Sequence, residues 1–293
     1  MIRETNINEL KLLSRGKVRD IYELDENLLI VTTDRVSAFD YVLHEIIPFK
    51  GIVLNKLALF FFEKTEHIIE NHIEYYDFDS LPNYLKKYEY LKDRFVVVKK
   101  AKTLPVECIV RGYITGSAWS EYVKTQTIGG MYVESGLVES EKFPDDIFTP
   151  STKAESGMHD ENISFDRMKE ILGHQLAEDV KTVSLSLFSY ASEFLENRGI
   201  IMADTKFEFG MMGDKLLLID EIFTPDSSRF WFKSKYTAGT KQESLDKQFI
   251  RNFLLSTGWD RNSSPPHLTE EVVNETSNIY KTIYKLITDD EIS

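Results

Sequence analysis

The sequence predicts an α+β protein, with an antiparallel β-rich domain at the N-terminus and a larger mixed domain after it. Short apolar runs near the start alternate with polar turns, as in a meander of antiparallel strands: Leu10 to Leu13, Val18 to Leu24 and Leu28 to Thr33. Later, residues 164–197 carry an apolar stripe at helical spacing. With 42% hydrophobic residues in a chain of 293, a large core can form.

The first domain is predicted to span residues 1–104. A helix over 53–65 and a strand over 95–99 follow the opening strands. A polar segment closed by Pro105 then ends this domain. The second domain, 105–293, is expected to include the C-terminal helices at about 240–293.

The second domain is predicted to begin with a β unit at Val106 and to continue into mixed structure. Ser164 can cap a helical region that breaks near Gly173 and stops at Gly199. A strand from Ile200 follows, and residues 242–256 and 269–288 have the patterns of amphipathic helices.

Composition limits the classes of function. The net charge of −13 argues against a general nucleic-acid or anionic-membrane surface, so an anionic ligand would be held by locally clustered Lys and Arg. The N-terminal residues lack an apolar signal region, and the longest apolar run, Leu57 to Phe62, is too short to cross a bilayer. We therefore expect a cytoplasmic protein with small-molecule partners.

A charged row is the most informative local pattern. Asp204, Lys206 and Glu208 are spaced to share one face of a strand. The segment 211–214 resembles a hairpin turn, which would return Asp220 to the same row. Two carboxylates beside a lysine suit Mg²⁺ and a polyphosphate. An exposed hairpin with ordinary ion pairs is the alternative.

Two polar segments in the first domain are candidate binding loops. Gly16 and Lys17 lie in a basic turn between strands, where backbone N–H groups and the ammonium can meet a phosphate. Ser37 and Asp40 follow an apolar strand, a position where binding residues often lie. A surface turn and a capping segment are the respective alternatives.

Three segments of the second domain carry further candidates. Residues 111–117 hold Arg111 and Ser117 among glycines, which favours an anion cradle, with a tight turn as the alternative. Residues 149–162 are predicted to form a loop dense in donors and carboxylates. This loop includes Lys153, Glu155, His159 and Asp160, although Asp160 could equally be a helix-start residue. A third loop, after Asp220, contains Ser228 and Arg229.

Six of these segments occur in the order found in SAICAR synthetases. They are Gly-Lys-Val-Arg-Asp at 16–20, Thr-Asp-Arg-Val-Ser-Ala-Phe-Asp at 33–40, Arg-Gly-Tyr-Ile-Thr-Gly-Ser at 111–117, Lys-Ala-Glu with His-Asp-Glu-Asn at 153–162, Asp-Thr-Lys-Phe-Glu-Phe-Gly at 204–210, and Asp-Glu with Thr-Pro-Asp-Ser-Ser-Arg-Phe-Trp at 220–231. The chain resembles this family over about residues 13 to 232, and its extended 149–155 segment and C-terminal helices resemble the family's longer form.

The resemblance implies a fold and a reaction. A kinase-like antiparallel β domain would precede a larger α+β domain, with an ATP cleft between them. ATP would phosphorylate the carboxylate of CAIR, a phosphoribosyl aminoimidazole carboxylate. The amine of L-aspartate would then displace phosphate to give SAICAR. Because a carboxylate does not accept an amine at neutral pH, an acyl phosphate would supply the leaving group.

The resemblance also implies residue roles. Gly16 and Lys17 would contact ATP, Glu208 and Asp220 would hold Mg²⁺, and Lys206 would lie by the transferred phosphoryl group. The remaining matched residues would contact CAIR or aspartate: Ser37, Asp40, Arg111, Ser117, Lys153, Glu155, His159, Asp160, Asp204, Ser228 and Arg229. Of these, Arg111 and Ser117 match phosphate contacts, and Asp160 would orient or deprotonate the attacking amine.

Two other functions fit parts of this pattern. A different carboxylate–amine ligase would keep Lys17, Glu208 and Asp220 without needing the segment from Arg111 to Ser117. A non-catalytic nucleotide-binding regulator would keep the basic turn and lose the metal ligands. The presence of both carboxylates and Lys206 argues against the regulator. Oligomeric state stays open.

Overall fold

A computed structural model describes residues 1–153 and 161–292. These residues form two compact units. Unit 1 comprises 1–63, 71–101 and 245–293, and unit 2 comprises 64–70 and 102–244. In the described residues, no helix has both the length and the apolar character that a membrane span requires.

The helices and strands follow one another in three stretches of chain. The first stretch contains β1 (Lys11–Arg15), β2 (Arg19–Leu24), β3 (Asn27–Thr32), β4 (Arg35–Ala38), β5 (Tyr41–Ile46), α1 (Lys50–Thr65), β6 (Ile73–Tyr75) and β7 (Phe95–Lys99). The second contains β8 (Lys102–Thr103), β9 (Val106–Tyr113), α2 (Gly116–Thr125), β10 (Thr127–Ile128), β11 (Met131–Tyr132) and β12 (Lys142–Thr152). The third contains α3 (Phe165–Leu172), α4 (His174–Glu196), β13 (Ile200–Met212), β14 (Lys215–Ile219), β15 (Ser228–Phe232), α5 (Gln248–Ser256) and α6 (Glu270–Thr288).

Unit 1 contains an antiparallel sheet with strand order β1-β2-β3-β7-β6, as the opening strands predict. Alternation along β3 determines its two faces. Leu29 and Val31 pack in one cluster with Leu91, while Ile30 belongs to a second cluster that Leu59 of α1 joins. Both faces are therefore apolar, which explains why β3 and β7 appear as continuous hydrophobic runs.

The β4–β5 hairpin is built on a two-residue turn. Phe39 and Asp40 have positive φ angles of 51° and 68°, the backbone of a type I′ turn. Asp tolerates this conformation because its short side chain bonds locally. The turn therefore presents Asp40 at the tip of the hairpin.

The C-terminal helices differ from the sequence-based domain division. We expected them in the second domain, but residues 245–293 belong to unit 1. Ile250 of α5 and Val272 of α6 pack with Val36 and Leu43 of the β4–β5 hairpin. An amphipathic stripe reveals that a helix is covered on one side, yet it does not reveal which surface covers it.

Unit 2 is organised around a sheet of strand order β12-β9-β13-β14. The long strand β13 also pairs with β15 near its start and with β8 near its end. The predicted hairpin is present, because β13 and β14 join through Gly213 and Asp214, and Gly213 has a φ of +60°. A glycine adopts this backbone without a Cβ clash.

The helices before β13 follow the sequence prediction. The Ser164 side chain accepts a hydrogen bond from the Arg167 N–H and caps α3. Gly173, with a φ of +85°, separates α3 from α4, and Gly199, with a φ of +74°, lies between α4 and β13.

Three elements of unit 2 differ from expectation. The segment that we predicted as a loop from Thr149 is strand β12 as far as Thr152. Helix α2, Gly116–Thr125, begins within the segment 111–117, for which we expected an anion cradle or a tight turn and no helix. The loop after Asp220 gives way to strand β15 at Ser228. In all three, tertiary pairing or packing orders a segment rich in polar residues.

Candidate active site

The candidate site lies on the face of the unit 2 sheet that is directed away from α4. Along β9, Cys108 and Gly112 point to one side, and a Cβ on Gly112 would lie 3.2 Å from the Phe188 ring of α4. Glu107 and Arg111 therefore point to the opposite side, and both are buried. Two charged side chains on one strand face require partners there.

The predicted charged row of β13 meets these residues. Asp204 pairs in register with Arg111. Lys206 and Glu208 follow on the same face, whereas Phe207 on the other face is fully buried. The alternation read from the sequence is thus confirmed, and the row lies within a central strand rather than on an exposed hairpin.

Asp204 holds two arginines. Its Oδ2 atom accepts hydrogen bonds from Arg111 Nη1 at 2.9 Å and from Arg229 Nη1. Arg111 also donates from Nε to Thr149 Oγ1 at 3.0 Å and from Nη2 to Ser117 Oγ at 3.4 Å. Burial lowers the pKa of Arg111, which is only 3% exposed, and the charge of Asp204 opposes this shift. Two guanidinium groups on one carboxylate leave a positive site.

The N-terminus of α2 adjoins this pair. Thr115 precedes the helix without a side-chain capping hydrogen bond, and Ser117 lies in its first turn. Gly116 has a φ of +58°, and a Cβ there would lie 2.4 Å from Arg229 Nη2. The guanidinium therefore lies directly against the first helical residue. Free helix N–H groups, a hydroxyl and an arginine form a geometry that binds anions. We call Arg111, Ser117, Asp204 and Arg229 the arginine cradle.

A second cluster lies farther along β13. Lys206 Nζ donates to Glu107 Oε1 and, at 3.3 Å, to Glu208 Oε1, while Lys153 Nζ donates to Glu208 Oε2. Burial lowers the pKa of Lys206, but the charges of Glu208 and Glu107 outweigh it, so this pKa is raised and the ammonium stays charged. We call these four residues the lysine–carboxylate cluster.

Glu107 is the member of this cluster that sequence reasoning missed. It lies in the apolar run Val106–Val110 two residues before Ile109 and four before Arg111. The same alternation that identified the row on β13 could have identified it. A charged residue inside a buried strand is a signal, because an unpaired charge there would be costly.

Glu208 and Asp220, the predicted Mg²⁺ ligands, could supply only part of the coordination shell of the ion. Asp220 directly follows Ile219, the cross-strand partner of Glu208, and has a φ of +69°. Among the described residues, no group of three or more His, Cys, Asp and Glu could hold a metal. Two carboxylates suit Mg²⁺ when substrate phosphates supply further oxygens. A cation on Glu208 would first displace Lys153, whose side chain is 40% exposed.

Ser228 lies beside the arginine cradle in register with Thr205, and their hydroxyls are 2.7 Å apart. Its N–H donates to the Thr224 carbonyl at 2.9 Å. Ser228 is buried, so its described contacts fix the start of β15, next to Arg229.

Four predicted residues lie in unit 1. Lys17 and Asp40 form an ion pair in which both side chains are about half exposed. Gly16 is exposed beside Lys17, and its N–H donates to the Arg19 carbonyl at 2.8 Å. Ser37 is buried on β4. The structure thus brings Lys17 and Asp40, which we had assigned to different substrates, into direct contact.

A buried ion pair supports the Gly16–Lys17 turn. Arg35 donates to the carbonyls of Gly16 and Lys17 at 3.0 and 3.2 Å, and to Asp20 Oδ1 at 2.8 Å. Burial raises the pKa of Asp20, but hydrogen bonds from Arg35 and Thr5 outweigh it and the pKa is lowered. This support is not apparent from the sequence, because the Arg35–Asp20 pair joins residues 15 positions apart.

Glu155, His159 and Asp160 lie outside the described residues. The flanks of their segment are described. The Thr152 N–H donates to the Glu161 carbonyl at 2.9 Å, which joins the two flanks. Lys153, the last described residue before the segment, contacts Glu208.

Comparison with known proteins identifies the family. A family model for SAICAR synthetase matches residues 12–266. The chain belongs to the SAICAR synthetase family. The phosphoribosylaminoimidazole-succinocarboxamide synthase of Thermodesulfovibrio yellowstonii is 53% identical over 98% of this chain and 99% of its own length. The corresponding enzyme of Geobacter sulfurreducens is 50% identical over 96% and 95%.

Solved structures agree. The SAICAR synthase of Saccharomyces cerevisiae, complexed with SAICAR, matches with a TM-score of 0.91 and 42% identity over 100% of both chains. These matches confirm the family resemblance and the α+β fold class. They also confirm that the protein is an enzyme of the SAICAR synthetase family, which uses ATP and forms SAICAR in purine biosynthesis.

Proposed function

We propose that this protein is an ATP-dependent ligase that joins CAIR and L-aspartate to give SAICAR, ADP and phosphate. One observation carries the proposal: β9 and β13 place the arginine cradle and the lysine–carboxylate cluster on the same sheet face. The first can bind a substrate phosphate, and the second can stabilise a transferred phosphoryl group. Family membership, with a solved relative complexed with SAICAR, supports the assignment.

The chemistry has two steps. A carboxylate oxygen of CAIR attacks the γ-phosphorus of ATP, and ADP leaves, so an acyl phosphate forms. The aspartate amine then attacks the acyl carbon, loses a proton, and phosphate departs with the former carboxylate oxygen. The protein mainly positions these groups and neutralises their charge, as in other phosphoryl transfers.

The arginine cradle would bind the ribose phosphate of CAIR. Arg229, Ser117 and the α2 N-terminus offer donors around one point, while the more buried Arg111 fixes Ser117 and Asp204. Bidentate guanidinium geometry suits a phosphate better than a lysine does. Asp204 holds both guanidinium groups and, by family resemblance, would also contact the imidazole. Ser228 would add a substrate contact beside Arg229.

The lysine–carboxylate cluster would bind the ATP phosphates and the transferred phosphoryl group. Glu208 and Asp220 would hold Mg²⁺ with the ATP phosphates, and the bound ion would neutralise phosphate charge during transfer. Lys206 would hold a positive charge beside the transferred group. Lys153, released from Glu208, would be free to contact the carboxylate of CAIR or of aspartate.

The other predicted residues complete the proposal. Gly16 and Lys17, in a turn fixed by Arg35, would contact the ATP phosphates. Ser37 and Asp40 would contribute to the CAIR or aspartate site.

Three residues of the segment that follows Lys153 are assigned by family resemblance alone. Glu155 and His159 would contact CAIR or aspartate, and Asp160 would orient or deprotonate the aspartate amine.

A substrate-specificity assay tests this function. Purified protein with ATP, Mg²⁺ and CAIR should form a mass-spectrometrically defined amide with L-aspartate and release one ADP for each product molecule. Glycine and L-glutamate serve as matched amine donors. Equal product formation with either would overturn the assignment, and so would ATP consumption that does not require CAIR.

A further inference from the structure

Lys206 is held between two carboxylates that come from different strands. Glu107 on β9 and Glu208 on β13 both accept from its Nζ atom, and the longer of the two contacts, at 3.3 Å, is to Glu208. The register pairs Lys206 with Ile109, so Glu107 is its diagonal neighbour across the strands. The lysine side chain is still 35% exposed and can reach a ligand.

The two carboxylates have different duties in the proposed reaction. Glu208 would bind Mg²⁺, and a divalent cation there repels any ammonium that shares its oxygens. Lys153 can withdraw, because its flexible side chain is 40% exposed. If Lys206 were held by Glu208 alone, it would also be displaced when the metal binds.

Glu107 removes this conflict. We propose that Glu107 is a positioning residue, which keeps the Lys206 ammonium at the transferred phosphoryl group while Glu208 binds the metal; this inference rests on the proposed function. Glu107 is 6% exposed and lies on a central strand that also carries Arg111. A buried carboxylate on a rigid strand fixes its partner more closely than one on a loop.

A double-mutant cycle tests the proposal. Glu107→Gln should lower kcat by about 10- to 100-fold, because misplacement of a catalytic group by about 1 Å has costs of that order. KM for ATP and for CAIR should change by less than about threefold. Glu107→Asp keeps the charge with a shorter reach and should recover part of kcat. In a Lys206→Met background, Glu107→Gln should have no further effect on kcat.

Controls separate positioning from folding and from metal binding. Glu196→Gln removes the carboxylate of another lysine pair in unit 2, Glu196–Lys233 at 2.9 Å, and should leave kcat unchanged. Calorimetric binding of Mg²⁺·ADP requires no turnover and should be equal in wild type and Glu107→Gln. If Glu107→Gln does not fold, the same cycle is measured with Glu107→Asp.

Three results would overturn the inference. Independent, multiplicative losses of kcat in the cycle would show that Glu107 does not act through Lys206. A tenfold weaker Mg²⁺·ADP affinity in Glu107→Gln would make Glu107 a metal ligand. Wild-type kcat in Glu107→Gln would make it structural only. Failure of the proposed function is distinguishable, since wild type itself would then form no SAICAR.

Discussion

Replacement of Arg111 by lysine tests the arginine cradle most selectively. The guanidinium bonds to Asp204 at 2.9 Å, Thr149 at 3.0 Å and Ser117 at 3.4 Å. A single ammonium can retain the bond to Asp204, but it cannot reproduce the planar fork that reaches the two hydroxyls. Ser117 then loses the contact that fixes its hydroxyl beside the bound phosphate, whereas Asp204 still holds Arg229.

The magnitude follows from the hydrogen bond to the CAIR phosphate that a displaced Ser117 would no longer donate. A hydrogen bond to a charged group contributes about 1.5–3 kcal/mol, and every 1.4 kcal/mol or so corresponds to about a tenfold change in affinity. Arg111→Lys should therefore raise KM for CAIR by about ten- to a hundredfold. KM for ATP should move little, because the cradle is assigned to CAIR alone.

Initial rates measured against each substrate in turn provide the assay. Lys17→Ala is the matched control and should raise KM for ATP while leaving KM for CAIR unchanged. Because Lys17 contacts Asp40, thermal melts are measured for both variants. Loss of ATP affinity in Arg111→Lys with CAIR affinity intact would refute the reasoning. An equal rise in KM for every substrate, together with a lowered Tm, would instead indicate a damaged fold.

Three further predictions concern the metal, the cradle and stability. Glu208→Gln or Asp220→Asn should raise the Mg²⁺ concentration required for activity and lower turnover by on the order of 10²-fold. If both variants show the same Mg²⁺ dependence as wild type, neither residue is a metal ligand. Gly116→Ala should raise KM for CAIR about tenfold or more, because its Cβ would lie 2.4 Å from the Arg229 guanidinium at a φ of +58°; an unchanged KM would separate this helix end from the substrate. Asp20→Asn should lower the free energy of unfolding by about 3–5 kcal/mol at pH 7. Since the folded pKa is lowered from 3.8, this difference should be complete above that pH and shrink as the pH falls below it; urea unfolding that shows a pH-independent difference would contradict the buried pair.

Sequence periodicity predicted the parts of the fold that local rules determine. The strands of unit 1, the Ser164 cap and the Gly213 turn follow from alternation and backbone preference. The C-terminal helices were assigned to the wrong unit, because their apolar faces are covered by the β4–β5 hairpin, far away in sequence. No local sequence pattern indicates which surface covers the apolar face of a helix.

Contacts between residues distant in sequence also limited the prediction of the site. The row of Asp204, Lys206 and Glu208 was readable because one strand contains it. Glu107 carries the same local alternation signal, but its pairing with Lys206, 99 residues away, cannot be read from the sequence. The sequence predicted the residues of the arginine cradle but not their arrangement. It does not show that Arg111 and Arg229 share the carboxylate of Asp204.

Isotope transfer from CAIR to phosphate tests the central claim most directly. CAIR labelled with ¹⁸O in its carboxylate is incubated with ATP, Mg²⁺ and L-aspartate, and the inorganic phosphate is analysed by mass spectrometry. Ligation through an acyl phosphate predicts one ¹⁸O atom in each phosphate released with SAICAR. Formation of SAICAR with unlabelled phosphate would contradict transfer of the phosphoryl group to the CAIR carboxylate.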